Sequence, residues 1–236
     1  MTLKELLKNS YTPYSGKSSC AVVKSKQGNC FPGVRVENIS FPLTISAAQN
    51  ALYCCLSEGH EPNLLFLEGE PNDTPDLAYW REENSLTVKN TDEAEEVSFY
   101  EIFQKPRQES ISSILQKRLE RSIVPYSNFP VAAVLETNLG YITGINIETE
   151  DWSKGLCAER VALAKALTYG VKEINALHIT TRDGEYNSPC GACRQVIAEH
   201  MPHHPVFLHH KDGTTAEHFS SDLLPYSFQS RTLKKE

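Results

Sequence analysis

The 236-residue sequence lacks any long hydrophobic run and any excess of positive charge. No stretch approaches the roughly 18 apolar residues that a membrane-spanning helix requires, and the charged start MTLKELLKNS does not have the pattern of a signal peptide. The 23 Lys and Arg residues are outnumbered by 30 Asp and Glu residues, which gives a net charge of −7. These absences argue against membrane insertion and against binding that depends on neutralising the phosphates of nucleic acid. We therefore expect a soluble cytoplasmic protein.

The cysteine count also argues against a disulfide framework. The chain has seven cysteines, an odd number, and we expect no secretion signal. Such a count favours reduced thiols or metal ligands over paired disulfides.

The sequence contains an internal repeat. PYSGKSSCAVV, which starts at Pro13, resembles PYSNFPVAAVL, which starts at Pro125, at an offset of 112 residues. One extra residue in the first copy then changes the offset to 111, so that Gly33 aligns with Gly144 and Glu37 with Glu148. The match predicts a duplicated domain, with a first copy over residues 1–104, a linker over 105–113 and a second copy over 114–236.

Strand and helix patterns alternate along each copy, which is typical of an α/β domain. In the second copy the patterns predict, in order, a helix at Ile111–Leu119, a hairpin of Val131–Thr137 and Tyr141–Ile147, a helix at Ala158–Tyr169, a strand at Ala176–Arg182, a helix at Gly191–His200 and a strand at Pro205–His209. The helix after the hairpin has apolar residues around most of its circumference, so we expect it to be buried.

The second copy contains a candidate metal centre. Cys157 lies in the stretch CAER, and Cys190 and Cys193 lie in PCGAC. Each cluster stands at a predicted helix start, where backbone N–H groups and the helix dipole favour thiolate over thiol. Three thiolates hold zinc and leave one coordination position open, as in a catalytic rather than a structural zinc site. The sequence thus predicts one Zn²⁺ per chain.

Two charged residues next to the first ligand have predicted roles. Zinc lowers the pKa of a bound water toward 7, and Glu159, two residues from Cys157, is placed to carry protons without being a ligand. Arg160 is expected to offset the negative charge of three thiolates by donating hydrogen bonds to sulfur. The alternative is that the cysteines are buried thiols or hold a structural zinc.

The first copy lacks this chemistry. Ser46-Ala47-Ala48-Gln49 aligns with Cys157-Ala158-Glu159-Arg160, and there is no cysteine between His60 and Lys105. We therefore expect the first copy to be degenerate and non-catalytic.

The second copy resembles the nucleoside cytidine deaminases over about residues 110–228. The resemblance is carried by PYSNFPVAAV, GINIE, CAERVALAKAL, SPCGACRQVIAEH and LLPYSF. It implies three-layer α/β/α domains with a mixed central sheet flanked by helices, present here as a tandem duplication. It also implies hydrolytic deamination of cytidine and deoxycytidine in pyrimidine salvage, and a homodimer that forms a pseudo-tetramer of four deaminase-like domains.

The same resemblance assigns substrate contacts. It implies that Asn146 and Glu148 bind the sugar, that Phe129 packs against the base, and that the backbone of Ala158 contacts the base edge. A C-terminal aromatic residue, Phe228, matches one that reaches a neighbouring subunit's site.

Departures from the family pattern leave the substrate range open. Trp152 stands where the family has Tyr, and Ala132 replaces the usual Gly. Alternatives are a deaminase of another aminopyrimidine nucleoside or nucleoside antibiotic, a nucleic-acid-editing deaminase and a non-enzymatic zinc-binding protein.

Overall fold

The computed structural model describes residues 2–67, 75–90, 98–105, 109–184 and 186–228. The chain divides into two compact units. The first unit comprises Met1–Glu37, Thr44–Ile102 and Ala164–Gly170, and the second comprises Asn38–Leu43, Phe103–Leu163 and Val171–Glu236. Since neither unit is one continuous stretch of chain, the predicted domain boundaries at 104 and 114 stay a prediction. Residues 106–108 of the predicted linker lie outside the described residues.

The first unit is built on a four-stranded mixed sheet with the strand order β2-β1-β3-β4. Strand β1 pairs antiparallel with β2 and β3, and β3 pairs parallel with β4. The elements in chain order are α1 (Leu3–Leu7), β1 (Cys20–Ser25), β2 (Cys30–Val34), α2 (Ala47–Ser57), β3 (Pro62–Leu67), α3 (Pro75–Asn84) and β4 (Thr87–Asn90).

The second unit contains a five-stranded mixed sheet with the strand order β6-β5-β7-β8-β9. Strands β7 and β8 pair parallel and are connected by α6, whereas the other described neighbours in this sheet pair antiparallel. The elements are α4 (Ile111–Leu119), β5 (Val131–Thr137), β6 (Gly140–Ile145), α5 (Ala158–Thr168), β7 (Ile174–Thr181), α6 (Gly191–His200), β8 (Pro205–His209), β9 (Thr215–Phe219) and α7 (Ser220–Leu223). The last part of α5, from Ala164 onward, belongs to the first unit. The α/β class and the mixed sheets flanked by helices are confirmed.

The two hairpins have the same register, as a duplication requires. Cys20 pairs with Val34 in the first unit, and Ala132 pairs with Ile145 in the second. These residues correspond at the offsets of 112 and 111, so the extra residue of the first copy lies in the turn between β1 and β2.

Most predicted bounds in the second copy agree with the structure to within two residues. Strand β6 ends at Ile145 rather than at Ile147. The backbone of Ile147 instead exchanges hydrogen bonds of 2.9 and 3.0 Å with Leu156, in the segment that leads into α5. This pairing brings the end of β6 next to the start of α5.

Gly144 allows β6 to pack directly on α5. A Cβ atom at Gly144 would lie 2.1 Å from the carbonyl oxygen of Ala158 and 2.8 Å from the backbone nitrogen of Ala162. Such distances exclude any side chain. The first unit has the same contact, since a Cβ at Gly33 would lie 2.2 Å from the nitrogen of Ala51. The repeated glycine therefore holds the first turn of α5 against the sheet.

Candidate metal centre and substrate cavity

The three predicted cysteine ligands come together at the starts of two helices. Cys157 immediately precedes α5, Cys190 is the N-cap of α6, and Cys193 lies in the first turn of α6. Their Sγ atoms all lie within 4.8 Å of one another, and those of Cys157 and Cys190 are 3.7 Å apart. Among the described residues, this is the group of His, Cys, Asp and Glu side chains that can hold a metal ion.

The spacing and charge of these sulfurs fit zinc. Three sulfurs that each lie about 2.3 Å from a tetrahedral zinc ion are about 3.8 Å apart, close to the observed distance between Cys157 and Cys190. Hydrogen bonds from Cys157 and Cys193, together with backbone N–H groups of Cys193 and Ala192, lower the pKa of Cys190. The hydrogen bond with Cys190 raises the pKa of Cys157, and burial and the negative charges of Glu159 and Cys190 raise it further. A zinc ion bound by these sulfurs would take the place of the protons that they share.

Glu159 lies beside the three sulfurs in the first turn of α5. Its side chain is buried, with 3% of the residue exposed. The Oε2 atom has no hydrogen-bond partner in the described part of the chain. Burial, reinforced by the negative charge of Cys190, raises the pKa of this carboxyl to about 7. A buried carboxyl with an unused oxygen and a pKa near neutrality is suited to carrying a proton.

Cys157, Cys190 and Glu159 line a cavity of about 450 Å³. Phe129, Asn146 and Glu148, three of the residues assigned to the substrate, also line it. The lining further includes Ser127, Val131, Ile147, Trp152, Gly155, Leu156, Ile179, Thr181 and Ser188. A volume of this order matches a small-molecule site.

Asn146 connects the wall of this cavity to β5. Its Oδ1 accepts a hydrogen bond of 2.8 Å from the backbone N–H of Val131, and its Nδ2 donates one of 2.9 Å to the carbonyl of Phe129. One lone pair and one N–H of the amide remain for a ligand. The residue thus also fixes the backbone of Phe129, whose ring is 41% exposed at the cavity.

Glu148 anchors the PYS turn as well as lining the cavity. Its Oε2 accepts hydrogen bonds of 3.1 Å from the N–H groups of both Tyr126 and Ser127, and Oε1 accepts one from the Ser127 hydroxyl. Ser127 was not among the predicted site residues, although the PYS stretch that contains it occurs in both copies.

The first unit keeps this anchor. Glu37 accepts the same hydrogen bonds from Tyr14 and Ser15, and Arg35, at the position of Asn146, binds the carboxylate at 3.0 Å. Burial opposes ionisation of Glu37, but the hydrogen bonds from Ser15, Arg35 and Tyr14 outweigh it and lower the pKa to about 2. The carboxylate at this position therefore stabilises the turn even where no zinc ligands remain.

The cavity lining does not include three other predicted residues, Ala158, Arg160 and Phe228. Ala158 is fully buried at the start of α5. The Nη2 of Arg160 donates a 2.9 Å hydrogen bond to the carbonyl of Leu43, and its Nε is buried without a partner among the described residues. The predicted bonds from Arg160 to sulfur stay a prediction. Phe228 is half exposed, and its carbonyl accepts a 3.3 Å bond from Gln195.

Three clustered cysteine sulfurs, a buried carboxyl and an adjoining cavity define a zinc-dependent hydrolase site. Residues 105–208 match the family model described as the cytidine and deoxycytidylate deaminase zinc-binding region. The chain is 42% identical over 120 residues to a cytidine deaminase of Sporosarcina psychrophila, covering 50% of this chain and 88% of the relative. It is 39% identical over 129 residues to a cytidine deaminase of Halalkalibacterium halodurans, covering 54% and 97%.

A crystal structure of cytidine deaminase from Burkholderia pseudomallei is 35% identical and covers 51% of this chain and 100% of that chain, with a TM-score of 0.47. The identities and coverage of the two sequence relatives establish that the chain belongs to the cytidine deaminase family. Across the described residues, no helix combines the length and apolar character needed to cross a membrane.

Proposed function

We propose that this protein is a zinc-dependent hydrolase that deaminates cytidine and deoxycytidine to uridine and deoxyuridine. The proposal rests on the cluster of three sulfurs beside a buried Glu159 oxygen that has no hydrogen-bond partner in the described part of the chain, with Cys157, Cys190 and Glu159 lining one cavity. The names of the family relatives support the same reaction.

In this proposal Cys157, Cys190 and Cys193 hold one zinc ion per chain. The ion, when bound, supplies a water of lowered pKa as the nucleophile for C4 of the base. Glu159 would carry one proton from that water to N3, and then a second proton from the resulting C4 hydroxyl to the amino group, which leaves as ammonia when the C4–N bond breaks. The oxygen of the water becomes the C4 carbonyl oxygen, so that cytidine and water give uridine and ammonia.

The cavity walls would orient the nucleoside. The remaining hydrogen-bonding capacity of Asn146 and the carboxylate of Glu148 suit sugar hydroxyls. The exposed ring of Phe129 would pack against the base, and the backbone of Ala158 would contact its edge. Arg160, with its buried unpartnered Nε, would donate to a zinc-bound sulfur.

A second candidate substrate is another aminopyrimidine nucleoside. Trp152 lines the cavity and is 65% exposed, so a larger aromatic surface stands at the rim where the family has Tyr. The chemistry at C4 would be unchanged.

An ultraviolet assay of the purified, zinc-loaded protein tests the proposal. We expect turnover of cytidine and deoxycytidine, and little or none of CMP or of a polycytidine strand. Failure with both nucleosides, on a sample shown to hold zinc, would refute the proposed reaction. Turnover of polycytidine would instead favour nucleic-acid editing.

We further propose that the protein acts in the cytoplasm, in pyrimidine salvage, as a homodimer of four deaminase-like domains. Three aromatic side chains near the cavity, Tyr126, Phe129 and Trp152, are exposed, as expected of a surface that a second copy covers. Light scattering should give twice the chain mass, and a monomer at assay concentration would contradict the dimer.

A further inference from the structure

The first unit contains a buried ion pair on the helix that begins at the metal centre. Lys165 of α5 is fully buried, and its Nζ contacts the carboxylate of Glu58, which follows α2 and is 8% exposed. The Nζ also donates a 3.3 Å hydrogen bond to the Ser57 hydroxyl. A buried ammonium is costly unless a carboxylate and further hydrogen bonds accompany it, and removal of one partner is strongly destabilising.

Further hydrogen bonds secure the same end of α5. The Nδ2 of Asn50, on α2, donates to the Thr168 hydroxyl at 2.8 Å and to the carbonyl of Val34 at 2.9 Å. The Nδ2 of Asn9 donates to the carbonyl of Thr168 at 2.9 Å. The second half of α5 is therefore held by polar contacts as well as by packing.

The residues that make these contacts are not repeated in the two copies. At the offset of 111, Cys54 corresponds to Lys165 and Glu58 corresponds to Tyr169. Burial raises the pKa of Cys54 to about 12, so this position is neutral in the first copy. An unaltered copy of α5 at this place would have a second lysine at the position of Cys54 and a tyrosine at the position of Glu58. The residue that follows α2 is the carboxylate Glu58, whereas the residue that follows α5 is Tyr169.

The pair is connected to the chemistry through the helix itself. Lys165 lies six residues after Glu159, about 9 Å along the axis of a regular α-helix. Cys157 directly precedes that helix. Glu159 and Lys165 belong to one continuous helix. A shift of Lys165 along the helix axis would therefore move the Glu159 carboxylate with it.

We propose that Glu58, in the copy that lacks the zinc ligands, is a positioning residue for the proposed deamination: it holds Lys165 and thereby fixes Cys157 and Glu159. The degenerate copy supplies the carboxylate that an intact copy does not have. The inference rests on the proposed function for its kinetic consequence, but its structural basis can be tested without substrate.

Melting of four zinc-loaded full-length proteins tests the pair: wild type, Glu58→Gln, Lys165→Met and the double variant. Each single substitution leaves one buried charge without its partner, so we expect a Tm about 10 °C below wild type. The double variant should melt above either single variant, since it contains neither charge. If the two single variants melt like wild type, or if the double variant melts below both of them, the ion pair does not stabilise the protein as proposed.

Positioning is tested below the melting temperature by zinc release and by kinetics. Glu58→Gln should release zinc to a colorimetric chelator roughly tenfold faster and lower kcat at least about tenfold with KM little changed, because small misplacements of catalytic groups are costly. Glu58→Asp, which keeps the charge, should recover part of both losses. A folded Glu58→Gln protein with wild-type zinc release and kcat would overturn the positioning role.

The exposed ion pair of Lys26 and Glu61, at 2.8 Å, provides a matched control. Both side chains are more than half exposed, so Glu61→Gln should change neither Tm, zinc release nor kcat. If wild type fails to deaminate cytidine, the proposed function is wrong, while the melting order and zinc release still decide whether Glu58 holds Lys165.

Discussion

At the scale of single residues, the site depends on one buried carboxyl whose surroundings give it a specific task. Glu159 is excluded from water, retains an unpartnered oxygen and lies next to three sulfurs. The neighbouring acidic residue Glu150 is exposed. The contrast between these two glutamates allows a direct test of the assignment.

Glu159→Gln should lower kcat by about 10²- to 10⁴-fold, because it removes the proton carrier while preserving the size of the side chain. Zinc content should stay near one per chain, since Glu159 is not among the three sulfur donors. Steady-state kinetics and metal analysis of the same sample give both values.

Glu150→Gln serves as the control and should keep wild-type kcat. Near-normal turnover by Glu159→Gln would contradict the role of Glu159, and loss of zinc from that variant would indicate that the carboxylate helps to hold the metal.

The predicted ligands and Glu159 were accessible to sequence reasoning because their chemistry restricts residue type and spacing. Cys157 and the CxxC pair needed only to be brought together, and the structure brings them together. Ser127 was missed, because a hydroxyl that anchors a turn carries no spacing signature of its own. The contact of Arg160 with Leu43 was also inaccessible, since it depends on which loop folds over the helix start.

At the scale of elements, the position of the site depends on how closely β6 approaches α5. Gly144→Ala would place a Cβ 2.1 Å from the carbonyl oxygen of Ala158. Backbone on both sides leaves no flexible atom to move, so we expect destabilisation at or above the upper end of the roughly 1–3 kcal/mol typical of overpacking. The Tm and the zinc content of Gly144→Ala should both be lower than those of wild type, because the displaced helix begins directly after the ligand Cys157 and carries Glu159.

Gly191→Ala is the matched control. A Cβ at Gly191 has no atom within 4 Å, and the residue lies at the start of α6. Its Tm should stay near that of wild type. Equal Tm values for Gly144→Ala and wild type would contradict the close packing.

A buried histidine on β7 should make the fold sensitive to acid. Burial, with a smaller contribution from the adjacent His209, lowers the pKa of His178 to about 4 from the ordinary 6.5. Glu136 also faces this ring, at 3.6 Å. Below pH 6.5 the unfolded chain takes up a proton that the folded chain resists, so stability falls between pH 6.5 and 4, by about 3 kcal/mol from this group.

Urea denaturation at pH 7 and at pH 4.5 measures this loss of folding stability. His178→Gln should lose less stability between the two pH values than wild type does, whereas replacement of the exposed His203 by Gln should leave the difference unchanged. An identical pH dependence of wild type and His178→Gln would contradict the assignment.

Regular elements with strong patterns were predictable, and weakly patterned ones were not. The bounds of α4, β5, α6 and β8 agree with the predictions residue for residue. Strand β9, TAEHF, alternates between exposed and half-buried residues at the edge of its sheet, so its sequence has little hydrophobic contrast. Helix α7 was also not predicted, because its four residues are too few to show a helical periodicity.

At the scale of the whole molecule, the two units share packing and turn features but differ in the residues that can hold a metal. The repeated features are those of packing and turns: the hairpin register, the close-packed glycines and the Glu anchor of the PYS turn. The features that are not repeated are the three sulfurs and Glu159. Repetition in the sequence predicted the shared architecture, whereas the buried contact between Lys165 and Glu58 depends on three-dimensional pairing that a single copy does not encode.

Each chain should bind one zinc ion through three cysteine sulfurs and leave one coordination position for a lighter ligand. X-ray absorption spectroscopy at the zinc edge, on protein whose metal content is measured in parallel, determines both. We expect one zinc per chain with three sulfurs at about 2.3 Å and one oxygen or nitrogen at about 2.0 Å. Four sulfurs, fewer than three, or two zinc ions per chain would contradict it.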